Sequence, residues 1–253
     1  MKFDETAKVI SQEFIGDGIC DMWIDTCNIA EKAVPGQFIS VYTKDSSKLL
    51  PRPISICETD GQRLRIVYRI VGGGTTEFSG YKAGDIIHIL GPLGNGFPLD
   101  KGTHPILIGG GIGIPPMLEL AKRIYGDKDI VVGYRNKDTF LDKELKVYGD
   151  ITIATDDGSL GTHGTVIDAI KENNIKGDVI FACGPTPMLR AVKEYAKENG
   201  IEAWISLEEK MACGIGACLA CVCNSTEIDD HSMVHNKRIC KDGPVFNAKE
   251  VEL

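Results

Sequence analysis

Long hydrophobic runs and clusters of basic residues are both missing from this 253-residue sequence. The longest uncharged run, residues 104–118, is shorter than the roughly 20 residues of a transmembrane helix and is interrupted by Gly and Pro. The charges, 28 Lys and Arg against 36 Asp and Glu, give a net charge of −8 and form no basic stripe for nucleic acid. No apolar signal-peptide segment follows Met1, so we expect a cytoplasmic protein that binds neither membrane nor nucleic acid.

The composition is typical of a folded protein, and the length suits two or three domains. Hydrophobic residues make up 43% and charged residues 25% of the chain. Up to residue 98, short apolar runs of period two are separated by Gly, Pro and Asp, which predicts an antiparallel Greek-key β-barrel over residues 1–98. The predicted strands are residues 19–24, 37–42, 54–57, 64–70 and 85–90.

Beyond a Gly- and Pro-rich junction at residues 91–97, strand and helix patterns alternate. This alternation predicts a parallel-sheet nucleotide-binding domain over residues 99–207. Its strands are predicted at 105–109, 130–134, 151–155, 178–183 and 201–207, and two of its helices at 115–125 and from 186 to Gly200. The fold class is therefore α/β plus all-β, completed by a small C-terminal domain over residues 208–253.

Five of the nine cysteines lie in that C-terminal domain, where they indicate a metal centre. The run Cys213-Gly-Ile-Gly-Ala-Cys218-Leu-Ala-Cys221 has the C-x₄-C-x₂-C spacing of plant-type [2Fe–2S] proteins. A structural zinc site is the alternative, but it usually shows paired C-x₂₋₄-C motifs. Cys223 and Cys240 could each supply the fourth thiolate, and we prefer Cys240, because Cys223 points to the opposite side of an extended segment.

Two Gly-rich turns follow predicted strands of the second domain and favour a dinucleotide. Gly109-Gly-Gly111-Ile-Gly113 precedes a helix, where backbone N–H groups can approach a pyrophosphate, although a tight packing turn explains the pattern equally well. Cys183-Gly184-Pro185 follows a later strand at the same edge of the sheet, where α/β proteins bind ligands.

A third signal lies in the predicted barrel and is consistent with a second pyrophosphate. Arg52 and the Gly-rich turn before Thr75 could bind phosphate, while Ser55 and Tyr68 could hydrogen-bond to and stack on a planar ring. An exposed Arg, an edge-strand Pro and an ordinary turn would explain the same residues without a ligand.

Together the motifs resemble the ferredoxin-reductase superfamily, in which they recur in the same order. They are Arg-Pro-Ile-Ser, Tyr-Arg-x-x-Gly-x-Gly-Thr, Gly-Pro-Leu-Gly-Asn-Gly-Phe, Gly-Gly-Gly-Ile-Gly-x-x-Pro, Cys-Gly-Pro-x-Pro-Met and the terminal cysteines. With the cysteines at this end, the chain most resembles the electron-transfer subunits of class B dihydroorotate dehydrogenases.

The resemblance implies an FAD, a [2Fe–2S] cluster and NAD as co-substrate. The residues implied for FAD are Arg52, Pro53, Ile54, Ser55, Val67, Tyr68, Arg69, Gly74 and Thr75. Those expected for NAD are Gly109, Gly111, Gly113, Cys183, Gly184 and Pro185, and those implied for the cluster are Cys213, Cys218, Cys221 and Cys240. Ile54 stands where the superfamily usually has Tyr.

The implied role is electron transfer from the FMN of a separate catalytic subunit, through the cluster and FAD, to NAD⁺ in pyrimidine biosynthesis. We expect a heterotetramer of two copies of each subunit, no catalytic residue for dihydroorotate in this chain, and docking through the loop between Cys221 and Cys240, with Lys237 and Arg238 at its rim. One alternative is a stand-alone NAD(P)H-dependent reductase for another acceptor. A lesser alternative is a non-enzymatic metal-binding or redox-sensing adaptor.

Overall fold

The N-terminal part of the computed structural model, which describes residues 1–228 and 233–253, is a closed barrel of six antiparallel strands. Its strands run in the order β1-β2-β5-β4-β3-β6, which confirms the predicted Greek-key barrel. They are β1 (Phe3–Gly16), β2 (Ile19–Asp25), β3 (Phe38–Tyr42), β4 (Arg52–Asp60), β5 (Arg63–Arg69) and β6 (Ile86–Leu93).

Strand β5 shows how the barrel is filled and where it meets the rest of the chain. Leu64, Ile66 and Tyr68 point into the barrel core, as the period of two predicts. Arg65 and Val67 on the opposite face of the strand are also buried. They are covered because the second domain packs against this side of the barrel.

The second domain is built on a seven-stranded sheet in the order β10-β9-β8-β7-β11-β12-β15. All its pairs are parallel except β12 with β15, so the last strand of the chain closes one edge of this sheet. The strands are β7 (Pro105–Gly110), β8 (Asp129–Tyr134), β9 (Asp150–Thr155), β10 (Thr162–His163), β11 (Val179–Cys183), β12 (Glu202–Ser206) and β15 (Val245–Asn247). The C-terminal segment is thereby joined to the parallel sheet, and the boundary at 207/208 stays a prediction.

The helices are short and most of them flank this sheet. They are α1 (Ile29–Lys32), α2 (Gly73–Phe78), α3 (Pro115–Arg123), α4 (Asp142–Leu145), α5 (Val166–Glu172) and α6 (Thr186–Asn199). Helix α3 ends two residues before the predicted Tyr125, which is exposed. Among the described residues, no helix is both long and apolar enough to cross a membrane.

A charge network centred on the buried Arg65 joins the barrel to the parallel-sheet domain. The Arg65 guanidinium lies 2.6 Å from Asp21 of β2, 3.1 Å from Glu58 of β4 and 2.6 Å from Glu144 of α4. Lys122 of α3 lies 3.0 Å from Glu58 as well. Because side chains from both domains share one buried cation, the two domains are held in a defined relation to each other.

A small two-stranded sheet lies in the C-terminal segment, among the cysteines. It consists of β13 (Val222–Asn224) and β14 (Asn236–Arg238), which pair antiparallel. The loop between them includes residues 229–232, which are outside the described residues. Docking through this loop therefore stays a prediction.

Candidate functional site

A cavity of about 370 Å³ opens where the barrel, the parallel sheet and the C-terminal segment meet. Its walls come from β4, β5, the turn after β7 and the end of β12. Met211 and Pro244, in the segments that carry the cysteines, complete them. The lining residues are Phe38, Arg52, Pro53, Ile54, Ser55, Val67, Tyr68, Arg69, Val71, Thr75, Ile112, Ser206, Leu207, Glu208, Glu209, Met211 and Pro244.

Eight of the nine residues expected to bind FAD line this cavity, and the ninth, Gly74, lies directly below Arg52. A Cβ atom at Gly74 would collide with the Arg52 guanidinium, so only glycine allows the cation to lie across this turn. The Thr75 hydroxyl accepts hydrogen bonds from the backbone N–H groups of Val71 (2.9 Å) and Gly72 (3.1 Å). Thr75 therefore shapes the turn across which the Arg52 side chain lies.

The hydroxyl group of Tyr68 is directed into the barrel, away from the cavity. Its side chain is 2% exposed, and its hydroxyl donates a hydrogen bond of 2.9 Å to Gln12 inside the barrel. Burial raises the pKa of this hydroxyl well above its ordinary value, so it stays protonated. Tyr68 can offer the cavity part of its ring surface, while its hydroxyl is already committed to Gln12.

The donor set of this cavity fits a flavin nucleotide. Apolar side chains such as Pro53, Ile54 and Val67 suit a planar ring, and two guanidinium groups, those of Arg52 and Arg69, suit a pyrophosphate. The absence of a Cβ at Gly74 lets the Arg52 guanidinium lie across the turn beside the cavity. These residues could hold FAD.

Nine cavity residues were not expected to bind a cofactor, and several of them follow strand β12. Glu208 is the most informative: it is an exposed residue on the cavity wall, and the protein packed around its carboxyl group raises the pKa of that group. Its charge also raises the pKa of the buried Cys183 thiol, although burial of that thiol is the larger cause. Ligands of α/β sheets bind beyond the carboxyl ends of the strands, and this rule, applied to β12, would have pointed to Glu208.

The two Gly-rich turns expected to bind NAD pack tightly against each other. A Cβ at Gly113 would lie 2.6 Å from the Cα of Gly184 and 2.5 Å from the carbonyl carbon of Cys183. Gly109 is similarly enclosed, since a Cβ there would lie 3.0 Å from the Cα of Ile114. Packing therefore accounts for these two glycines by itself.

Gly111 differs from its neighbours in the same turn. Its φ is +53°, and a Cβ there would meet nothing within 4 Å. It follows β7 at the carboxyl edge of the sheet and precedes Ile112 of the cavity wall. Among the glycines of the two turns, Gly111 is the one whose surroundings leave room for a ligand.

The four predicted cluster cysteines lie together as two pairs of thiols. Cys213 and Cys218 form one pair, joined by a thiol hydrogen bond. Cys221 and Cys240 form the other, and the Cys240 backbone N–H lies 3.4 Å from the Cys221 sulfur. Both pairs are connected, because the charges of Cys221 and Cys213 act on the Cys240 thiol.

Backbone amides of the small-residue loop point at the first pair. The N–H groups of Ile215 and Ala217 lie 3.5 and 3.3 Å from the Cys213 sulfur. Burial opposes ionisation of Cys213, but these amides outweigh it and lower its pKa to about 6. Such donors would stabilise the negative charge of a thiolate-bound iron centre.

This arrangement suits a two-iron centre better than zinc. A structural zinc ion needs four ligands around one point. The spacing C-x₄-C-x₂-C with a distant fourth cysteine differs from the paired C-x₂₋₄-C motifs that zinc sites usually show. Four thiols, with the Ile215 and Ala217 amides directed at the Cys213 sulfur, are the kind of donor set that a [2Fe–2S] cluster needs, so the residues fit that group.

Cys223 and Arg238 lie on the small sheet beside the thiols. Cys223 pairs with Lys237 across β13 and β14, and burial raises its pKa to about 11. Arg238 was expected at the docking rim, but this is wrong: it is 8% exposed and its guanidinium lies 3.0 Å from Asp242. The ion pair between Arg238 and Asp242 orders the segment that carries Cys240.

The C-terminal segment matches a known family of domains. Residues 208–252 match the model of the iron–sulfur cluster binding domain of dihydroorotate dehydrogenase B. Two proteins, each named the electron transfer subunit of dihydroorotate dehydrogenase B (NAD⁺), are similar over the full length. The one from Listeria monocytogenes serotype 4a is 45% identical and covers 97% of this chain and 98% of its own. The one from Geobacillus sp. strain WCH70 is 42% identical, with both chains fully covered.

Solved structures share the same fold. The structure of an NADH-dependent reduced ferredoxin–NADP oxidoreductase, described as an enzyme of flavin-based electron bifurcation, superposes with a TM-score of 0.88 at 29% identity. It covers 98% of this chain and 90% of its own. The ferredoxin reductase of carbazole 1,9a-dioxygenase superposes with a TM-score of 0.68 at 18% identity, over 79% of this chain and 67% of its own.

Proposed function

Because the chain belongs to the family of electron-transfer subunits of dihydroorotate dehydrogenase B, we propose that it passes electrons from a dihydroorotate-oxidising catalytic subunit to NAD⁺ in pyrimidine biosynthesis. It carries FAD and a [2Fe–2S] cluster and uses NAD⁺ as co-substrate. We assign FAD to residues 1–98, NAD to residues 99–207 and the cluster to residues 208–253.

The observation that carries this proposal is the composition of the cavity wall. Arg52 and Ile54 come from the barrel, Ile112 from the Gly-rich turn, and Met211 and Pro244 from the segments that carry Cys213 and Cys240. A ligand in this cavity therefore touches the nucleotide turn on one side and the cysteine segments on the other. A flavin in this cavity would therefore lie between the nicotinamide and the cluster, as electron transfer between those two groups requires.

Each part of the chain has a defined task in this scheme. Bound flavin exchanges electrons singly with an iron–sulfur centre and in pairs with nicotinamide, a conversion that protein side chains cannot perform. Arg52 and Arg69 would neutralise the pyrophosphate, and Gly111 leaves room for the dinucleotide. The two thiol pairs would hold the irons, with the Ile215 and Ala217 amides directed at the sulfur of Cys213.

We further propose that the catalytic partner contains FMN and that two copies of each subunit assemble. Cys218 is exposed, and Ile215 and Leu219 beside it are 43% and 48% exposed. Apolar side chains around an accessible thiol form a surface on which a partner can approach the cluster closely. The cytoplasmic location stays a prediction.

The decisive experiment compares this chain alone with the chain plus its FMN-containing partner. Alone, loaded with FAD and cluster, it should oxidise NADH with an artificial dye but should not reduce NAD⁺ with dihydroorotate. Adding the partner should establish dihydroorotate-dependent NAD⁺ reduction. Turnover of dihydroorotate by the chain alone, shown free of a second polypeptide, would overturn the subunit assignment.

The docking surface can be tested separately with a matched pair of substitutions. Ile215→Glu places a charge beside Cys218 without removing the Ile215 backbone N–H, whereas Val147→Glu changes an exposed apolar residue, 77% exposed, next to α4. Ile215→Glu should slow partner-dependent NAD⁺ reduction and leave NADH–dye activity unchanged. Equal behaviour of the two variants would contradict docking at this surface.

A second candidate function is favoured by the superposition over 98% of this chain with the NADH-dependent reduced ferredoxin–NADP oxidoreductase. It is that of a reductase serving another acceptor, such as a ferredoxin. The electron acceptor discriminates the two: ferredoxin reduction by NADH without the partner would favour this alternative. The non-enzymatic adaptor has no support, because the family consists of oxidoreductase subunits.

A further inference from the structure

The junction motif at residues 91–97 has no part in the function described so far, yet it contacts the cysteine segment. Strand β6 ends at Leu93, and the chain leaves the barrel through a turn in which Gly94 has a φ of +73°. A Cβ at Gly94 would lie 2.7 Å from the carbonyl oxygen of Gly243. The turn and the segment after Cys240 are thus packed backbone to backbone.

Asn95 joins the turn after β6 to the segment that follows Cys240. Its backbone N–H donates to the Gly243 carbonyl at 2.6 Å. Its side-chain amide donates to the carbonyl of Asp242 at 2.9 Å and to that of Lys241 at 3.3 Å. One residue of the barrel turn therefore holds three successive carbonyl groups, all directly after Cys240.

These three residues link the buried Cys240 to the cavity wall. Cys240 is 1% exposed, and Pro244, four residues later, lines the cavity. The Pro244 carbonyl accepts a hydrogen bond of 2.9 Å from Leu207, at the end of the parallel-sheet domain. The link is consequently anchored on the barrel by Asn95 and on the sheet domain by Leu207.

We propose that Asn95 is a positioning residue for the iron–sulfur centre, holding the Lys241–Gly243 carbonyls so that the Cys240 thiolate keeps its place beside Cys221. This inference rests on the proposed function, since it takes Cys240 as a ligand. A neutral amide suits the task, because it donates two hydrogen bonds to carbonyl oxygens. A carboxylate in its place would repel them.

The test uses the full chain loaded with FAD and cluster. Asn95→Ala removes the side-chain donors but keeps the backbone hydrogen bond to Gly243. Asn95→Asp puts negative charge against the carbonyls, and Asn95→Gln restores an amide donor on a longer side chain. Asn199→Ala is the matched control, because it removes one side-chain donor to a backbone carbonyl at the far end of α6.

The readouts are the half-time of bleaching of the visible cluster absorbance in the presence of an iron chelator, and the electron paramagnetic resonance spectrum of the reduced protein. We expect Asn95→Ala to bleach about tenfold faster than the native chain, as the loss of two neutral hydrogen bonds implies. Asn95→Asp should bleach faster still, and Asn95→Gln more slowly than either. The spectrum should change in Asn95→Ala, while FAD content and the spectrum of Asn199→Ala should not.

Bleaching rates and spectra of Asn95→Ala and Asn95→Asp that equal those of Asn199→Ala would overturn this role for Asn95. If a variant were too unstable to purify, the remaining one and Asn95→Gln would decide the outcome in the same way. A native chain that binds no cluster at all would instead refute the proposed function, so the two failures are distinguishable.

Discussion

The cavity and the cysteine centre are built in opposite ways. The cavity takes its walls from the barrel, the sheet domain and the C-terminal segment, and it includes side chains as buried as Tyr68. The cysteine centre draws three of its four thiols from nine consecutive residues, and one of them, Cys218, is exposed. The cavity therefore depends on how domains pack, whereas the cysteine centre depends on a few individual ligands.

The largest effect should come from removing one ligand of the cysteine centre. Cys240→Ser should abolish or greatly weaken cluster binding, because one of the two thiol pairs then loses a thiolate. Cys223→Ser is the control, since Cys223 lies on β13 outside both pairs. Iron and sulfide assays measure the result, and FAD content should be retained in both variants. A full cluster in the Cys240 variant with loss in the Cys223 variant would reverse the ligand assignment.

Among changes that affect the cavity, we expect the largest effect from one that weakens the packing of the barrel against the parallel-sheet domain. Arg65→Met should leave the Asp21 carboxylate buried without its cation, and removing one partner of a buried pair costs about 3–5 kcal/mol. Arg63→Met should cost less than about 1 kcal/mol, because the Arg63 pair with Asp60 is exposed to solvent. Urea unfolding of both variants gives the comparison. A similar loss in the two would mean that the Arg65 network contributes little to stability.

A single cavity residue should have a smaller effect, confined to the cofactor. Arg52→Ala removes a charge-assisted hydrogen bond, worth about 1.5–3 kcal/mol, so FAD affinity should fall about 10- to 150-fold. Arg63→Ala changes an arginine of the same barrel outside the cavity and should leave FAD binding unchanged. Flavin retained after identical dialysis measures both, and equal retention would contradict the role of Arg52.

The smallest effect should be at the nucleotide turn. Gly111→Ala and Gly126→Ala each place a Cβ in open space at a positive φ, +53° and +83°, so they carry the same kind of backbone strain, about 1–2 kcal/mol. The KM for NADH in the dye assay should rise a few-fold in Gly111→Ala alone, since Gly126 follows α3 at the other end of the sheet. A rise of equal size in both variants would assign the effect to strain and not to the nucleotide.

Much of the architecture could be predicted because it follows from local patterns. The alternation in β5 identified a strand, and the two prolines before Met117 marked the start of α3. The same alternation does not indicate that Arg65 is buried, because exposure on the second face of a strand depends on whether another domain covers it. Lys237 and Arg238 look alike in sequence, yet Arg238 is buried against Asp242, a pairing that only the turn after β14 creates.

The sequence by itself determined the barrel, the parallel sheet and the four candidate ligands, because strand periodicity and cysteine spacing are properties of neighbouring residues. Only the tertiary structure decided that Gly113 packs on Gly184, that Glu208 lines the cavity and that Asn95 holds the segment after Cys240. Each of these contacts joins residues that are distant in the chain. Their formation depends on the packing of complete domains, which no local pattern encodes.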